Sequence, residues 1–154
     1  VLTFVSEFIE EANLLNKMTL VDPKGSDFLK YQGASCITPN KSELRQIIGT
    51  WKDENTLEKR ARSLMKKLEL KALLLTRSEE GMTLFEQERT INIKAQAKEV
   101  FDVSGAGDTV IAVLACLLSE GHSWEESAIT ANQAAAVVVG RLGTSVITPS
   151  DILL

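Results

Sequence analysis

The apolar residues of this chain recur at two spacings, and these predict alternating helices and strands. Apolar positions three or four residues apart indicate helices, whereas short continuous apolar runs indicate buried strands. The expected order is helix, strand, strand, helix, helix, strand, hairpin, helix, helix. The predicted helices are 6–17, 39–48, 55–68, 107–118 and 124–139, and the predicted strands are 18–21, 34–38, 72–76, 82–85 and 90–93.

The apolar faces and the apolar strands together predict the fold class. The first helix and helix 55–68 each have one apolar face. Strand 72–76 is apolar at nearly every position, as expected when both faces of a strand are covered. Strands alternating with helices indicate an α/β layered fold with a largely parallel sheet. The predicted apolar faces comprise Phe4, Phe8, Ile9, Ala12 and Leu15 in the first helix, and Leu57, Ala61, Leu64, Met65 and Leu68 in helix 55–68.

Polar residues follow several of the predicted strands at the point where each strand ends. They lie in the segments 22–24, 40–43, 76–78 and 102–108. Ligands of parallel α/β sheets bind at the carboxyl ends of the strands. We therefore expect these four loops to converge on one edge of the sheet.

Composition and charge exclude several classes of protein. The 154 residues suit one compact domain, and a net charge of −4 without a basic stripe argues against a nucleic-acid partner. No apolar run is long enough to cross a membrane. Cys36 and Cys116 lack metal-ligand spacing and lie in apolar stretches, so we expect buried free thiols and a reducing cytoplasm. Neither the GxxxxGK[ST] motif of P-loop kinases nor the GxGxxG motif of Rossmann dehydrogenases is found where those folds need it.

The loop Asp102–Thr109 is the first candidate for chemistry. Gly105, Ala106 and Gly107 come directly before a helix, whose first-turn N–H groups and dipole can bind an anion. Asp108 lies in that first turn, where a carboxylate can accept the proton of an attacking hydroxyl. The alternative is that the glycines only form a turn and that Asp108 is only a favourable first-turn acid.

Asn40 and Glu43 form a second candidate pair at the start of another helix. Three residues apart, they share one helix face. Mg²⁺ prefers oxygen ligands and keeps several waters, so the pair can position a magnesium ion through water. The alternative is a capping box, with Asn40 as N-cap and Glu43 three residues later. The two roles are compatible.

The two candidate segments resemble the signatures of the ribokinase-like (PfkB) carbohydrate kinases. Segment 40–43 matches their NxxE signature, and 102–108 matches their DTxGAGD signature, with Val103 where Thr is usual. Segments 21–25, 75–82 and 140–145 extend the resemblance over essentially the whole chain, to the kinase domains of bacterial ADP-heptose synthases. The resemblance implies a ribokinase-like three-layer α/β/α fold, truncated at its N-terminus.

The resemblance also implies an activity and roles for further residues. The activity is ATP- and Mg²⁺-dependent phosphorylation of D-glycero-β-D-manno-heptose 7-phosphate at its anomeric hydroxyl, with Asp108 as base. Thr76, Ser78 and Gly81 would line the nucleotide phosphates and ribose. Asn132 would lie near the adenine or be only a polar residue inside a helix, and Lys24 would meet a phosphate or be a solvated turn lysine. A monovalent-cation loop, holding K⁺, would comprise Asp102, Ser104 and the backbone carbonyls around Val139, Leu142 and Thr144.

The family's N-terminal half has no counterpart in this sequence. Residues 1–5 lack a signal peptide's basic region and run directly into a helical pattern, so we expect 1–154 to be the C-terminal, nucleotide-binding half of a kinase domain. The missing half carries the first signature, most sugar contacts and the lid through which relatives dimerise, so this chain alone should bind nucleotide weakly and phosphorylate no sugar. A kinase of another sugar or nucleoside, or a non-catalytic nucleotide-binding module, is the alternative.

Overall fold

Two compact units make up the structure, a computed structural model that describes residues 4–96, 102–141, 143 and 145–152. The first unit comprises Val1–Leu75 and Phe85–Thr90, and the second comprises Thr76–Leu84 and Ile91–Leu154. The helices are α1 (Val5–Leu14), α2 (Lys41–Ile48), α3 (Glu54–Leu68), α4 (Ala106–Ser119), α5 (Trp124–Val139) and α6 (Pro149–Ile152). The strands are β1 (Leu20–Val21), β2 (Cys36–Ile37), β3 (Ala72–Thr76), β4 (Met82–Glu86) and β5 (Thr90–Ile93).

The five strands form one mixed sheet in the order β1-β2-β3-β4-β5. The β1–β2 and β2–β3 pairs are parallel, with Cys36 opposite Leu20 on one side and Ala72 on the other. A tight turn joins β4 and β5, where the Glu86 N–H donates to the Arg89 carbonyl over 2.9 Å. The predicted α/β class and the predicted parallel pairing are therefore confirmed for β1 to β3, and the hairpin makes the sheet mixed.

The core of the first unit forms around α3 and β3. All five apolar residues predicted on one face of α3 are buried, and β3 is fully buried from Ala72 to Leu75. Cys36 of β2 is buried as expected, and this burial raises the pKa of its thiol to about 12, so the thiol stays protonated and unreactive.

The first helix is confirmed, but it buries little of its predicted apolar face. Only Ile9 of its predicted apolar face is buried, whereas Phe4 and Phe8 are 66% and 68% exposed and Leu15 is also exposed. The spacing of apolar residues reports that a helix is amphipathic, but it does not report what covers the apolar face.

The second unit packs α4 against α5. Val110, Leu114 and Leu118 recur every four residues on α4 and are buried, as are Ala128, Ala131, Ala134 and Val138 on α5. Cys116 lies on the other side of α4 and is exposed, so the prediction of a buried thiol there is wrong. In the part of the chain that the structure describes, no helix is long and apolar enough to cross a bilayer.

The predicted order of five helices and five strands is confirmed, with boundary shifts of a few residues. The sequence does not predict three short helical segments, which are Leu29–Tyr31, Ser78–Glu80 and Pro149–Ile152. A single helical turn contains too few residues to show a hydrophobic period, so sequence spacing cannot reveal it.

Candidate functional site

A cavity of about 380 Å³ lies within the second unit. Its walls come from the end of β3 and the turn after it, from the residues that follow β5, from the start of α4 and from one face of α5. The lining residues are Thr76, Ser78, Glu79, Gly81, Met82, Ala95, Gln96, Val103, Ala106, Gly107, Val110, Asn132, Ala135, Ala136 and Val139.

The start of α4 forms one wall of the cavity. Gly105 precedes the helix in the left-handed conformation (φ 78°), and its carbonyl accepts hydrogen bonds from the backbone N–H and the hydroxyl of Thr109, both at 2.9 Å. No side chain in the described part of the chain caps this helix. The Ala106 N–H donates to the Val103 carbonyl over 3.3 Å. The N–H groups of a first helical turn have no partner within the helix, so the turn at Gly107 can receive an anion.

Asp108 lies in this uncapped first turn, directly after two residues that line the cavity. Its side chain is exposed. A carboxylate here is free of burial and can take up a proton from a group bound at the helix start.

The loop before α4 is tied to the end of α5. The Asp102 N–H donates to the Val139 carbonyl over 3.3 Å, and the Asp102 carboxylate accepts the Ser104 N–H over 2.8 Å. Hydrogen bonds from Ser104, and less so from the Gly143 N–H, hold the pKa of Asp102 below its usual value. A hard cation such as K⁺ is bound by carboxylate and carbonyl oxygens. The described residues of this loop carry such oxygens, so they fit the predicted cation site. Leu142 and Thr144, the other two predicted ligands, lie outside the described residues.

Asn132 is only 4% exposed and lines the cavity. Its side-chain amide donates to the Lys94 carbonyl over 2.9 Å, which joins α5 to the residues after β5. The side chain therefore has a structural partner and also borders the cavity, so neither interpretation of Asn132 excludes the other.

Asn40, Glu43 and Lys24 form a connected polar cluster in the first unit. Asn40 and Glu43 make both hydrogen bonds of a capping box, each of 2.9 Å. The Lys24 ammonium contacts Asp22 at 2.9 Å and Glu43 at 3.0 Å. Lys24 is therefore ion-paired, and its side chain is also 64% exposed to solvent. The hydrogen bond that the Lys24 ammonium donates to Asp22, with a smaller contribution from the one to Glu43, raises the pKa of Lys24.

The capping interpretation of Asn40 and Glu43 is thereby confirmed. It also means that the oxygens predicted to position a magnesium ion already have partners within the protein. One oxygen of Glu43 accepts the Asn40 N–H, and the other contacts Lys24. Among the described residues, no three His, Cys, Asp or Glu side chains cluster as a metal site would need. The oxygens fit Mg²⁺ held through water, the mode that the sequence predicts.

The structure brings the four predicted polar loops together as two pairs, one in each unit. Loops 76–78 and 102–108 line the cavity, and loops 22–24 and 40–43 meet through Lys24 and Glu43. Sequence reasoning missed several lining residues, of which Ala135 and Ala136 lie three and four residues after Asn132 on the same helix face. That spacing was the available signal. Gln96, a polar residue shortly after β5, was another.

A comparison with protein-family models finds one match over nearly the whole chain. Residues 2–151 match the model described as the pfkB family carbohydrate kinase. Among curated proteins, the bifunctional protein HldE of Yersinia pestis is 51% identical over 152 residues, which cover 98% of this chain and 32% of HldE. HldE of Yersinia pseudotuberculosis gives the same values, so the chain spans about a third of these relatives.

Solved structures of sugar kinases are among those that share this fold. The match to phosphofructokinase-2 from Escherichia coli in complex with potassium has a TM-score of 0.85 at 20% identity, covering 96% of this chain and 49% of that one. Ribokinase from Arabidopsis thaliana, complexed with ribose and ATP, matches with a TM-score of 0.82 at 25% identity, covering 91% and 47%.

Proposed function

Because the chain belongs to the pfkB family of carbohydrate kinases, we propose that it is the nucleotide-binding half of an ATP-dependent sugar kinase of the three-layer α/β/α type. The observation that carries this proposal is the uncapped start of α4, which borders a cavity of about 380 Å³ and is followed at once by Asp108. Pockets for small ligands have volumes of roughly 300–1,000 Å³, so the cavity suits part or all of a nucleotide.

Asp108 is the proposed catalytic base. Phosphoryl transfer needs a group that accepts the proton of the attacking sugar hydroxyl while the γ-phosphoryl group moves. Asp108 is exposed beside the anion-binding turn, so a hydroxyl and a phosphate can meet there. A module that only binds nucleotide has no need of this carboxylate.

The N–H groups at Gly105, Ala106 and Gly107 are the proposed anion hole. Negative charge spreads over the equatorial oxygens of the transferring phosphoryl group, and fixed N–H donors aimed at those oxygens lower the barrier. A side-chain cap would occupy these donors, and none of the described residues supplies one. The Ala106 N–H donates to the Val103 carbonyl over 3.3 Å, so it must exchange that partner for the phosphate.

The remaining nucleotide contacts follow from the lining of the cavity. We propose that Thr76, Ser78 and Gly81 contact the phosphates and ribose, and that Asn132 borders the adenine. Lys24 keeps a proposed phosphate contact, but it must first leave Asp22 and Glu43. That exchange replaces two carboxylates by a phosphate as the partner of the ammonium.

Two cations are proposed to assist phosphoryl transfer. Mg²⁺, held through water by Asn40 and Glu43, supplies positive charge that offsets the phosphates of bound ATP. A monovalent cation such as K⁺, in the loop with Asp102 and Ser104, would order the anion hole from behind. The ties from Asp102 to Val139 and to Ser104 support that loop.

The proposed substrate is D-glycero-β-D-manno-heptose 7-phosphate, phosphorylated at its anomeric hydroxyl as a step towards ADP-heptose and lipopolysaccharide. Support comes from the resemblance to ADP-heptose synthase kinase domains and from 51% identity to HldE over 152 residues. Because the chain spans about a third of HldE, the substrate belongs to the longer protein. Another sugar or a nucleoside is the alternative within the family.

The test is Asp108→Asn in the longer protein, assayed with ATP, Mg²⁺ and a panel of sugar phosphates. Turnover should fall at least about a hundredfold, because general-base catalysis contributes on the order of 10²–10⁴ in rate, while ATP affinity changes little. Asp53→Asn is the matched control, an acid-to-amide change at the start of α3, where Asn caps as well as Asp. Surviving turnover in Asp108→Asn would remove the base role, and an inactive wild type that still binds ATP would support the non-catalytic module.

A further inference from the structure

The turn between β3 and β4, residues 77–81, forms one wall of the cavity. Ser78, Glu79 and Gly81 line the cavity, as do Thr76 before the turn and Met82 after it. Arg77 lies in the same turn but is not a lining residue. Its side chain is only 13% exposed.

The backbone of this turn has an uncommon conformation. Ser78 has φ 54°, in the left-handed region that residues with a Cβ rarely enter. Gly81 has φ 92° and ψ −126°, which is accessible only to glycine. Such a conformation persists only where the surrounding contacts impose it.

The Arg77 guanidinium supplies contacts of that kind. It contacts Glu80 through Nε at 2.9 Å and through a terminal nitrogen at 2.7 Å. Its other terminal nitrogen donates to the Thr83 hydroxyl over 3.1 Å. Thr83 is 1% exposed, and its hydroxyl donates in turn to the Asn92 side chain over 2.8 Å. One side chain thus connects the turn to β4 and, through Thr83, to β5.

The backbone of Arg77 closes the same turn. Its N–H donates to the Gly81 carbonyl over 2.8 Å, and the Gly81 N–H donates to the Ser78 carbonyl over 3.0 Å. These bonds define the shape of the turn, and the guanidinium fixes that shape to the sheet.

We infer that Arg77 is a positioning residue for the nucleotide: it holds the turn 77–81 in the conformation that presents Ser78 and Gly81 to the cavity, without contacting the nucleotide itself. This inference rests on the proposed function, since it takes the cavity to be the nucleotide site. The planar fork of arginine meets two acceptors in fixed directions, whereas a lysine ammonium has no such geometry. Arginine at this position is therefore needed for its shape as well as its charge.

The experiment compares Arg77→Met, Arg77→Lys and the control Arg62→Met in the longer protein, as in the test of Asp108→Asn. Arg62 also has several hydrogen bonds, to Glu58, to Thr90 and to the carbonyls of residues 86 and 87, and it does not line the cavity. Three quantities are measured for each variant: ADP affinity by calorimetry, amide hydrogen exchange of residues 77–82, and the midpoint of thermal unfolding.

Arg77→Met should weaken ADP binding by about tenfold, because a charge-assisted network that fixes the binding turn is lost. The same variant should speed exchange at Gly81. Arg77→Lys should show a smaller loss of affinity, and Arg62→Met should lower the unfolding midpoint with unchanged ADP affinity. In a Ser78→Gly background, where the left-handed conformation is allowed, Arg77→Met should speed exchange less.

Unchanged affinity and exchange in Arg77→Met would overturn the inference. An equal loss of affinity in Arg62→Met would also overturn it, since a general loss of stability would then explain both variants. Full affinity in Arg77→Lys would show that charge alone acts, against the positioning role. If the unmodified longer protein binds no ADP, the proposed function fails, and exchange at Gly81 still decides whether Arg77 orders the turn.

Discussion

The starts of helices α2 and α4 differ in how their first-turn N–H groups are satisfied. At α2, Asn40 and Glu43 form a complete capping box, and Lys24 adds an ion pair to Glu43. At α4, the residue before the helix is a left-handed glycine, and among the described side chains none caps the turn. At the first start a side chain satisfies a first-turn N–H, whereas at the second no described side chain does so and the turn borders a cavity.

The other described helix starts sharpen this contrast. Asp53 caps α3, and Ser123 with Glu126 caps α5. Helix α1 also has no side-chain cap, but its residues do not line the cavity. The lack of a side-chain cap therefore supports the proposed ligand site at α4 only together with the cavity beside it.

The largest loss of stability is expected from Gly81→Ala, a change in the wall of the cavity that the start of α4 borders. A Cβ at Gly81 would lie 2.0 Å from the Ile93 carbonyl oxygen and 2.5 Å from the Ala95 nitrogen, and neither backbone atom can move cheaply. With the strained φ added, the free energy of unfolding should fall by more than about 3 kcal/mol, as measured by urea denaturation.

Gly25→Ala is the matched control for Gly81→Ala. Gly25 also has a positive φ, of 80°, but nothing lies within 4 Å of a Cβ built there. Gly25→Ala should lower the free energy of unfolding only by the cost of the left-handed conformation, about 1–2 kcal/mol. Equal losses in the two variants would show that close approach of the backbone is not what requires glycine at Gly81.

Much of the α2 start could be predicted from sequence, because its contacts are local. Asn40 and Glu43 are three residues apart on one helix, so the capping box needs no knowledge of the tertiary structure. The same holds for the buried face of α3. Lys24 is different: its partner Glu43 is 19 residues away, so no spacing rule reveals the ion pair.

The cavity could be predicted only in part, for the same reason. The glycines of loop 105–107 were a clear signal, since glycine marks a turn that approaches a ligand. Ser78 gave no such signal, because its left-handed conformation is one that residues with a Cβ rarely adopt and that the local sequence does not indicate. The exposed Phe4 and Phe8 show the reverse case, an apolar pattern whose burial the described structure does not confirm.

A smaller loss of stability is expected from Asn40→Ala, which removes the side-chain cap of α2. Loss of an N-cap side chain costs about 1 kcal/mol, so the free energy of unfolding should fall by that amount in urea denaturation. Asn40→Asp should stay close to the wild type, since Asp caps equally well. If Asn40→Ala is as stable as the wild type, the capping box contributes nothing and the contrast with α4 weakens.

At the start of α6, the contribution of side-chain hydrogen bonds to stability should depend on pH. Hydrogen bonds from Thr148, with a smaller contribution from Arg141, lower the pKa of Asp151 from 3.8 to about 2. Because the folded pKa is below the unfolded one, the stability that Asp151 contributes is full above about pH 5 and is lost as the pH falls towards 2. The difference in unfolding free energy between wild type and Asp151→Asn should therefore shrink over that range.

Urea denaturation at pH 7, 4 and 2.5 measures this difference. Arg141→Met serves as the control: it removes the ion pair to Asp151 but keeps the Thr148 bonds, so most of the pH dependence should remain. A difference that stays constant down to pH 2.5 would mean that Asp151 is not held by these hydrogen bonds.

The smallest effect is expected from Ser127→Ala, and it asks whether every unsatisfied polar group of the second unit serves a ligand. The Ser127 hydroxyl is fully buried in α5 and has no hydrogen-bond partner among the residues that the structure describes. It does not line the cavity, so its removal should leave ADP affinity unchanged. Replacing an unpartnered buried hydroxyl by a methyl group should raise the unfolding free energy by up to about 1 kcal/mol. A loss of stability would show that the hydroxyl has a partner after all, whereas a loss of ADP affinity at unchanged stability would extend the functional region of α5 beyond the cavity wall.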